Sequence, residues 1–267
     1  MRIRALALLS LVAVLLTGCG GSSHRDAGAS TSSGASSAKK LTGTLTVFAA
    51  ASLTDVFTDL GNRLKADNPR LDVRFNFAGS SALATQLTQG APADVFASAN
   101  EAQMKVVTDA GLPADAPVVF AENVLEIAVP KGNPGRVRGL ADFAKPDLTL
   151  AVCAAAVPCG AAAQKVFQAS GIKAVPDTEE EDVKAALTKV QLGEVDAALV
   201  YATDVQAAGS DVTGIPFPEA EQAINEYPIC SLEAAPNPKA ARAFIEMVQS
   251  DAGQKALAAA GFRKPSA

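Results

Sequence analysis

The chain has 267 residues, with 23 Lys and Arg against 28 Asp and Glu, a formal net charge of −5, one histidine, no tryptophan and two tyrosines. An acidic protein offers no electrostatic basis for nucleic-acid binding, and so few Trp and Tyr argue against an aromatic-lined sugar site. The one histidine is His24, so the part of the chain that folds has none for a Ser-His or Cys-His pair or for a typical zinc site.

Arg2 and Arg4 precede an apolar run from Ala5 to Leu16, followed by Leu16-Thr17-Gly18-Cys19. A short basic region, a short apolar core and small residues before a cut point read as a secretion signal over 1–18. The run is too short for a transmembrane helix, which needs about 20 apolar residues. The Leu-x-Gly-Cys ending resembles a bacterial lipobox, which implies that Cys19 is lipid-modified and becomes the new N-terminus. Residues 19–40 are rich in Ser, Gly and Ala and read as a flexible lipidated tether. The 227 residues beyond are enough for a good core and two lobes. Cys153, Cys159 and Cys230 remain. Cys153 and Cys159 flank a short loop and suit a disulfide in an oxidising compartment, leaving Cys230 a buried free thiol; pairing of Cys230 with either is the alternative.

After the tether the chain alternates. Leu45–Phe48 reads as a strand. Leu53, Val56, Phe57, Leu60 and Leu64 then share one face of a helix over 53–67, with Ser52 as its cap and Asp55 in capping-box position. Asp72–Phe77 alternates as a strand. Ser80–Gln89 is a helix ended by Gly90 and Pro92, Asp94–Ala97 a short strand, and Glu101–Ala110 a helix closed by Gly111. Val124–Val129 is a strand cut by Pro130, Gly139–Phe143 a helical turn, Leu148–Val152 a strand and Gly160–Ser170 a helix. Glu180–Leu192 is a helix, Val195–Tyr201 a strand, and a further helix starts at Asp204. Tyr227–Leu232 is a strand, and Pro238–Ala260 a final helix or helix pair interrupted at Gly253. Strands alternating with helices define an α/β fold with mostly parallel sheets, whose ligands sit beyond the C-terminal ends of the strands.

Several of these junctions combine a strand end, small residues and a helix start: Ala51-Ser52, Gly79-Ser80-Ser81, Pro158-Cys159-Gly160 and Glu181-Asp182-Val183. A helix start presents free N–H groups and the positive end of a dipole, which suits an anion. Tyr201 ends a strand with a phenol. Each has a plainer reading: Ser52 and Ser80 as caps, Tyr201 as half-buried packing, Glu179–Asp182 as a solvated helix start. Together they describe a neutral, donor-only site.

The segments Thr46–Leu53, Phe77–Ser81, Gly90–Phe96, Val157–Gly160, Glu181–Val183 and Val200-Tyr201 resemble those of the molybdate-binding proteins of bacterial ABC importers, over about residues 41–262. The resemblance implies a two-lobed periplasmic-binding-protein type II fold with the ligand in the interlobe cleft. Lobe 1 would span 41–122 and 230–267, and lobe 2 123–229. It implies oxyanion contacts from the hydroxyl and N–H of Ser52 and of Ser80, the N–H of Cys159 and of Val183, and the hydroxyl of Tyr201. Cys159 departs from a family member that carries alanine there, a change that a backbone contact tolerates. The resemblance further implies no enzyme activity, no cofactor, and a monomer anchored by lipid on the extracytoplasmic side of the cell membrane. That monomer would pass molybdate or tungstate to an ABC permease and its ATPase. A sulfate binder is the nearest alternative. A hydrolase using Ser52 or Cys159 lacks a histidine base, and a ferric-ion binder using Tyr201 and Tyr227 lacks a histidine or carboxylate motif beside them.

Overall fold

The computed structural model describes residues 40–266. The expected signal, the lipidation site Cys19 and residues 19–39 of the tether lie outside the described residues. In chain order the first elements are β1 (Thr42–Ala50), α1 (Thr54–Asp67), β2 (Arg70–Ala78), α2 (Ser80–Thr88), β3 (Val95–Ala97), α3 (Glu101–Asp109) and β4 (Val118–Asn123). Next come β5 (Leu125–Pro130), β6 (Leu150–Cys153), α4 (Pro158–Ala169), β7 (Thr178–Glu180), α5 (Val183–Gln191), β8 (Ala197–Tyr201), α6 (Ala202–Ala208) and β9 (Val212–Ile215). The chain then returns through β10 (Asn225–Ser231) to α7 (Pro238–Gln249) and α8 (Asp251–Ala259).

These strands form two five-stranded sheets, ordered β2-β1-β3-β10-β4 and β7-β6-β8-β5-β9. In the first, β1 runs parallel to β2 and β3, while β10 runs antiparallel to β3 and β4. In the second, β6 runs parallel to β7 and β8, while β5 runs antiparallel to β8 and β9. Each sheet is therefore mixed rather than mostly parallel. The antiparallel pairings all involve β5 or β10, the first strands laid down after the chain crosses between sheets. The forward crossing falls between Asn123 and Leu125. The return is complete by Asn225, five residues before the lobe boundary expected at 230.

Successive side chains of a strand point to opposite faces, and β1 uses both. Leu45 and Val47 pack with Phe57 of α1 and with Phe244 and Leu257 of the C-terminal helices, while Phe48 packs with Leu83, Phe96 and Met104 under α2 and α3. Phe57 and Phe244 meet edge to face at 5.2 Å; burying such a ring contributes about 1.5–3 kcal/mol. The second sheet has its own core, in which Ile127, Val129, Phe143, Leu150, Val166 and Leu187 are fully or almost fully buried.

Some elements differ from expectation. Thr178–Glu180 is an edge strand parallel to β6, so α5 starts at Val183, not Glu180; Asp182 caps it by accepting the Ala185 N–H at 2.9 Å. The expected order also omits β4, despite its β-prone Val118–Ala121 run, and the short, glycine-containing β9. The last helix breaks at Ser250, which ends α7 and caps α8 through the Gly253 N–H. Ser52 is not a cap. It sits in a 3-10 turn, Ala51–Leu53, ahead of α1, and its hydroxyl turns inward. Asp55 reaches Lys184 instead.

Candidate functional site

Six strand-to-helix junctions, three from each sheet, line one space. A small cavity of about 10 Å³ there is lined by Ala50, Ser52, Ser80, Cys159, Val183 and Tyr201, among others. All five residues named from the sequence line this one space. Ser52 follows β1 and Ser80 opens α2 in the first lobe; Cys159, Val183 and Tyr201 belong to α4, α5 and β8 in the second. The side chains are almost wholly withdrawn from solvent, with Ser80 and Tyr201 each 1 % exposed.

The donors follow from local structure. Ser80, Cys159 and Val183 lie in the first turns of α2, α4 and α5. First-turn N–H groups have no partner within their helix, so these amides are available to the cavity along with the positive helix ends. Pro158 precedes Cys159 in the first turn, where its missing N–H costs nothing. Small residues keep the walls close. A Cβ on Gly79 would collide with the carbonyl oxygen of Glu181 across the cleft, and one on Gly160 with that of Ala154.

Among the residues lining the cavity there is no lysine or arginine. Asp182 lines it too, with its Oδ1 accepting the Ala185 N–H as the cap of α5. Lys184 lies close by in sequence and turns away to Asp55 at 3.1 Å and Asp204 at 3.5 Å. The cavity offers hydrogen-bond donors and dipoles without a formal counter-charge. Burial, with Tyr227 and Asp204 nearby, holds the Tyr201 phenol well above its usual range, so it stays a protonated donor. A roomier cavity of about 350 Å³ is lined by Glu101, Glu122, Glu226 and Lys165, a carboxylate-rich wall poorly matched to an anion.

Cys153 and Cys159 are joined in a disulfide, and Cys230 is free and buried, its thiol pushed up to about 12 by burial. The disulfide ties the end of β6 to the first turn of α4, beside the cavity. Sequence reasoning missed Asn123, Thr203 and Asn225, which form a buried polar layer behind the cavity with Tyr227, and Ala99, which lines the cavity and whose backbone bonds Ser80 and Asn225. Isolated asparagines at strand ends read locally as turn residues; only the tertiary structure shows them as buried.

Two mixed sheets with a small donor-lined space between them make a cleft able to enclose a small anionic solute. The chain belongs to the bacterial extracellular solute-binding proteins, whose family model matches residues 45–263. Within that class it is 45% identical to the molybdate-binding protein ModA of Mycobacterium tuberculosis, over 94% of this chain and 93% of that one. The molybdate-binding protein ModA of Haemophilus influenzae is 33% identical, over 82% and 89%. The periplasmic molybdate-binding protein of Azotobacter vinelandii shares the fold, with a TM-score of 0.72 at 18% identity over 83% of this chain and 100% of that one. The sulfate-binding protein SubI of Mycobacterium tuberculosis shares it too, with a TM-score of 0.71 at 18% identity over 83% and 86%.

Proposed function

We propose that this protein captures molybdate, and tungstate with it, in the interlobe cleft and delivers it to an ABC permease and its ATPase. In this reading it is a monomeric, non-enzymatic binding protein that needs no cofactor. It is held on the extracytoplasmic face of the cell membrane by a lipid on Cys19. The observation that carries the reading is the convergence of Ser52, Ser80, Cys159, Val183 and Tyr201 on one small cavity with no lining cation.

The hydroxyls of Ser52, Ser80 and Tyr201 and the N–H groups of Ser52, Ser80, Cys159 and Val183 hold the dianion by charge-assisted hydrogen bonds. The helix starts add dipoles aimed at the same point. Neutral donors bind without forming a salt bridge that must break for release. Hydrogen phosphate carries a proton that needs an acceptor, and a donor-only site leaves it unpaired at a cost of about 1–3 kcal/mol or more. Sulfate is fully ionised, so charge does not exclude it. Molybdate is larger, and a cavity sized to it leaves sulfate with slack hydrogen bonds.

Thermal unfolding of the purified protein in millimolar molybdate, tungstate, sulfate or phosphate tests the reading, because a ligand that binds only the native state stabilises by RT ln(1 + [L]/Kd). Molybdate and tungstate should raise Tm clearly, with little effect from phosphate. Equal shifts from sulfate and molybdate favour a general tetrahedral-oxyanion binder, and no shift from any anion overturns the reading.

A further inference from the structure

Each hydroxyl that faces the cavity has a protein group behind it. Ser80 Oγ accepts the backbone N–H of Ala99 at 3.0 Å. Tyr201 Oη accepts from Asn225 Nδ2 at 3.1 Å. Ser52 Oγ lies 2.9 Å from Tyr227 Oη, which in turn accepts from Asn123 Nδ2 at 3.4 Å. The layer is sealed from water: Tyr227 is 0 % exposed, Asn123 1 % and Asn225 6 %.

Backbone groups fix which way both amides point. Asn123 Oδ1 accepts the Val124 N–H at 3.0 Å, which leaves its nitrogen facing Thr203 Oγ1 and Tyr227 Oη. Asn225 Nδ2 donates to the Ala99 carbonyl at 2.7 Å, which turns the same nitrogen to Tyr201. A carbonyl oxygen only accepts and an N–H only donates, so neither amide is free to flip.

A hydroxyl has one proton and two lone pairs. When a donor occupies a lone pair from behind, the proton is left to point elsewhere. At Ser80 it is left for the cavity; at Tyr201 the neighbouring Tyr227 phenol is a second acceptor for the same proton, in competition with the cavity. At Ser52 the same logic takes two steps: the Ser52–Tyr227 contact allows either hydroxyl to donate, and with Asn123 donating to Tyr227, a Tyr227 proton given to Ser52 Oγ leaves the Ser52 proton for the cavity. Asn123 and Asn225 are register partners at the two crossings between the sheets, in β4 and β10. The floor of the cleft thus carries the groups that orient its hydroxyls. Burial also keeps Tyr227 protonated, its phenol held far above the usual range.

We propose that Asn123, Asn225 and Tyr227 are positioning residues that set the proton polarity of the site and so impose selectivity for fully deprotonated tetrahedral dianions. The proposal rests on the oxyanion reading above. It goes further in placing the rejection of protonated oxyanions in a buried layer that does not touch the ligand.

Two near-isosteric variants test it. Tyr227→Phe removes the hydroxyl that, in this proposal, donates to Ser52. Asn225→Asp replaces two N–H donors by a carboxyl: ionised, it only accepts; protonated, it has one proton for the two partners that the amide serves. Calorimetric titration with sodium molybdate, alone and against tens of millimolar phosphate at neutral pH, is run on wild type and on both variants, with circular dichroism to check the fold. Each variant should lose about 10- to 100-fold in molybdate affinity, the scale of one hydrogen bond to an ion. Phosphate should displace molybdate from at least one variant and not from wild type. A folded variant pair with wild-type molybdate affinity, or with weaker molybdate binding and unchanged phosphate rejection, overturns the proposal and leaves the layer as hinge packing. Wild type that binds no molybdate overturns the oxyanion reading itself, and the polarity claim with it.

Discussion

Asp204 is fully buried beneath Tyr201, and its nearest cation is Lys184, 3.5 Å away. Asp204 Oδ2 accepts the Tyr201 N–H at 3.2 Å, while Oδ1 has no hydrogen bond. Lys184 also reaches Asp55 of α1, so one ammonium ties a buried carboxylate of the second lobe to the surface of the first. Burial lifts Asp204 to about 6; Lys184, partly exposed and shared with Asp55, lowers it without fully offsetting burial, and the Asp55 charge adds to the rise.

The pH dependence follows from that lift. Asp204 titrates near 6 in the folded protein and near 3.8 when unfolded. Between those values the folded state holds the proton more tightly. The contribution of Asp204 to stability is thus greatest below about pH 4, declines as pH rises to about 6 and is level above, a difference on the order of 3 kcal/mol. In Asp204→Asn, urea unfolding from pH 4 to 7 should lose this decline relative to wild type. Parallel wild-type and variant curves contradict it.

Ser80 and Tyr201 line the cavity from opposite lobes and are read as donors to the anion. Ser80→Ala and Tyr201→Phe should each weaken molybdate binding by about 1.5–3 kcal/mol, the value of a hydrogen bond to a charged group. Fold stability should change less, and calorimetry of folded variants separates the two effects. Unchanged affinity removes that residue from the site.

Gly79 passes so close to Glu181 that any side chain there props the cleft open. Its backbone is extended, with φ of −57° and ψ of 134°, so alanine causes no conformational strain of its own. Gly79→Ala should therefore lower molybdate affinity at least about tenfold while leaving Tm of the ligand-free protein nearly unchanged. The opposite pattern makes Gly79 a core-packing residue.

The Cys153–Cys159 bridge closes a short loop, so removing it should cost about 2 kcal/mol of stability by the loop-entropy argument. Because Cys159 is read as contacting the ligand through its N–H, the double variant Cys153→Ala, Cys159→Ala should bind molybdate within about threefold of wild type. A larger loss assigns the bridge a role in shaping the anion site.

Elements with strong local patterns were legible from sequence: α1 from its 3.6-residue apolar stripe, β2 from strict alternation, and the junctions at Ser80 and Cys159 from small residues between strand and helix. What was not legible depends on tertiary pairing. β7 is three polar residues, Thr178 to Glu180, held only because β6 lies beside them. Ser52 has the spacing of a capping residue, yet its hydroxyl is claimed by Tyr227, 175 positions away. Asn123 and Asn225 pair across a sheet assembled after the chain has left and come back. Local propensity reports caps and periods; a buried hydrogen-bond layer drawn from both lobes has no local signature.

The most direct measurement is titration calorimetry of the purified protein with molybdate, tungstate, sulfate and phosphate under identical conditions. Molybdate and tungstate should bind tightly at one to one, sulfate much more weakly and phosphate not at all. Sulfate bound as tightly as molybdate, or phosphate bound at all tightly, contradicts the proposed function.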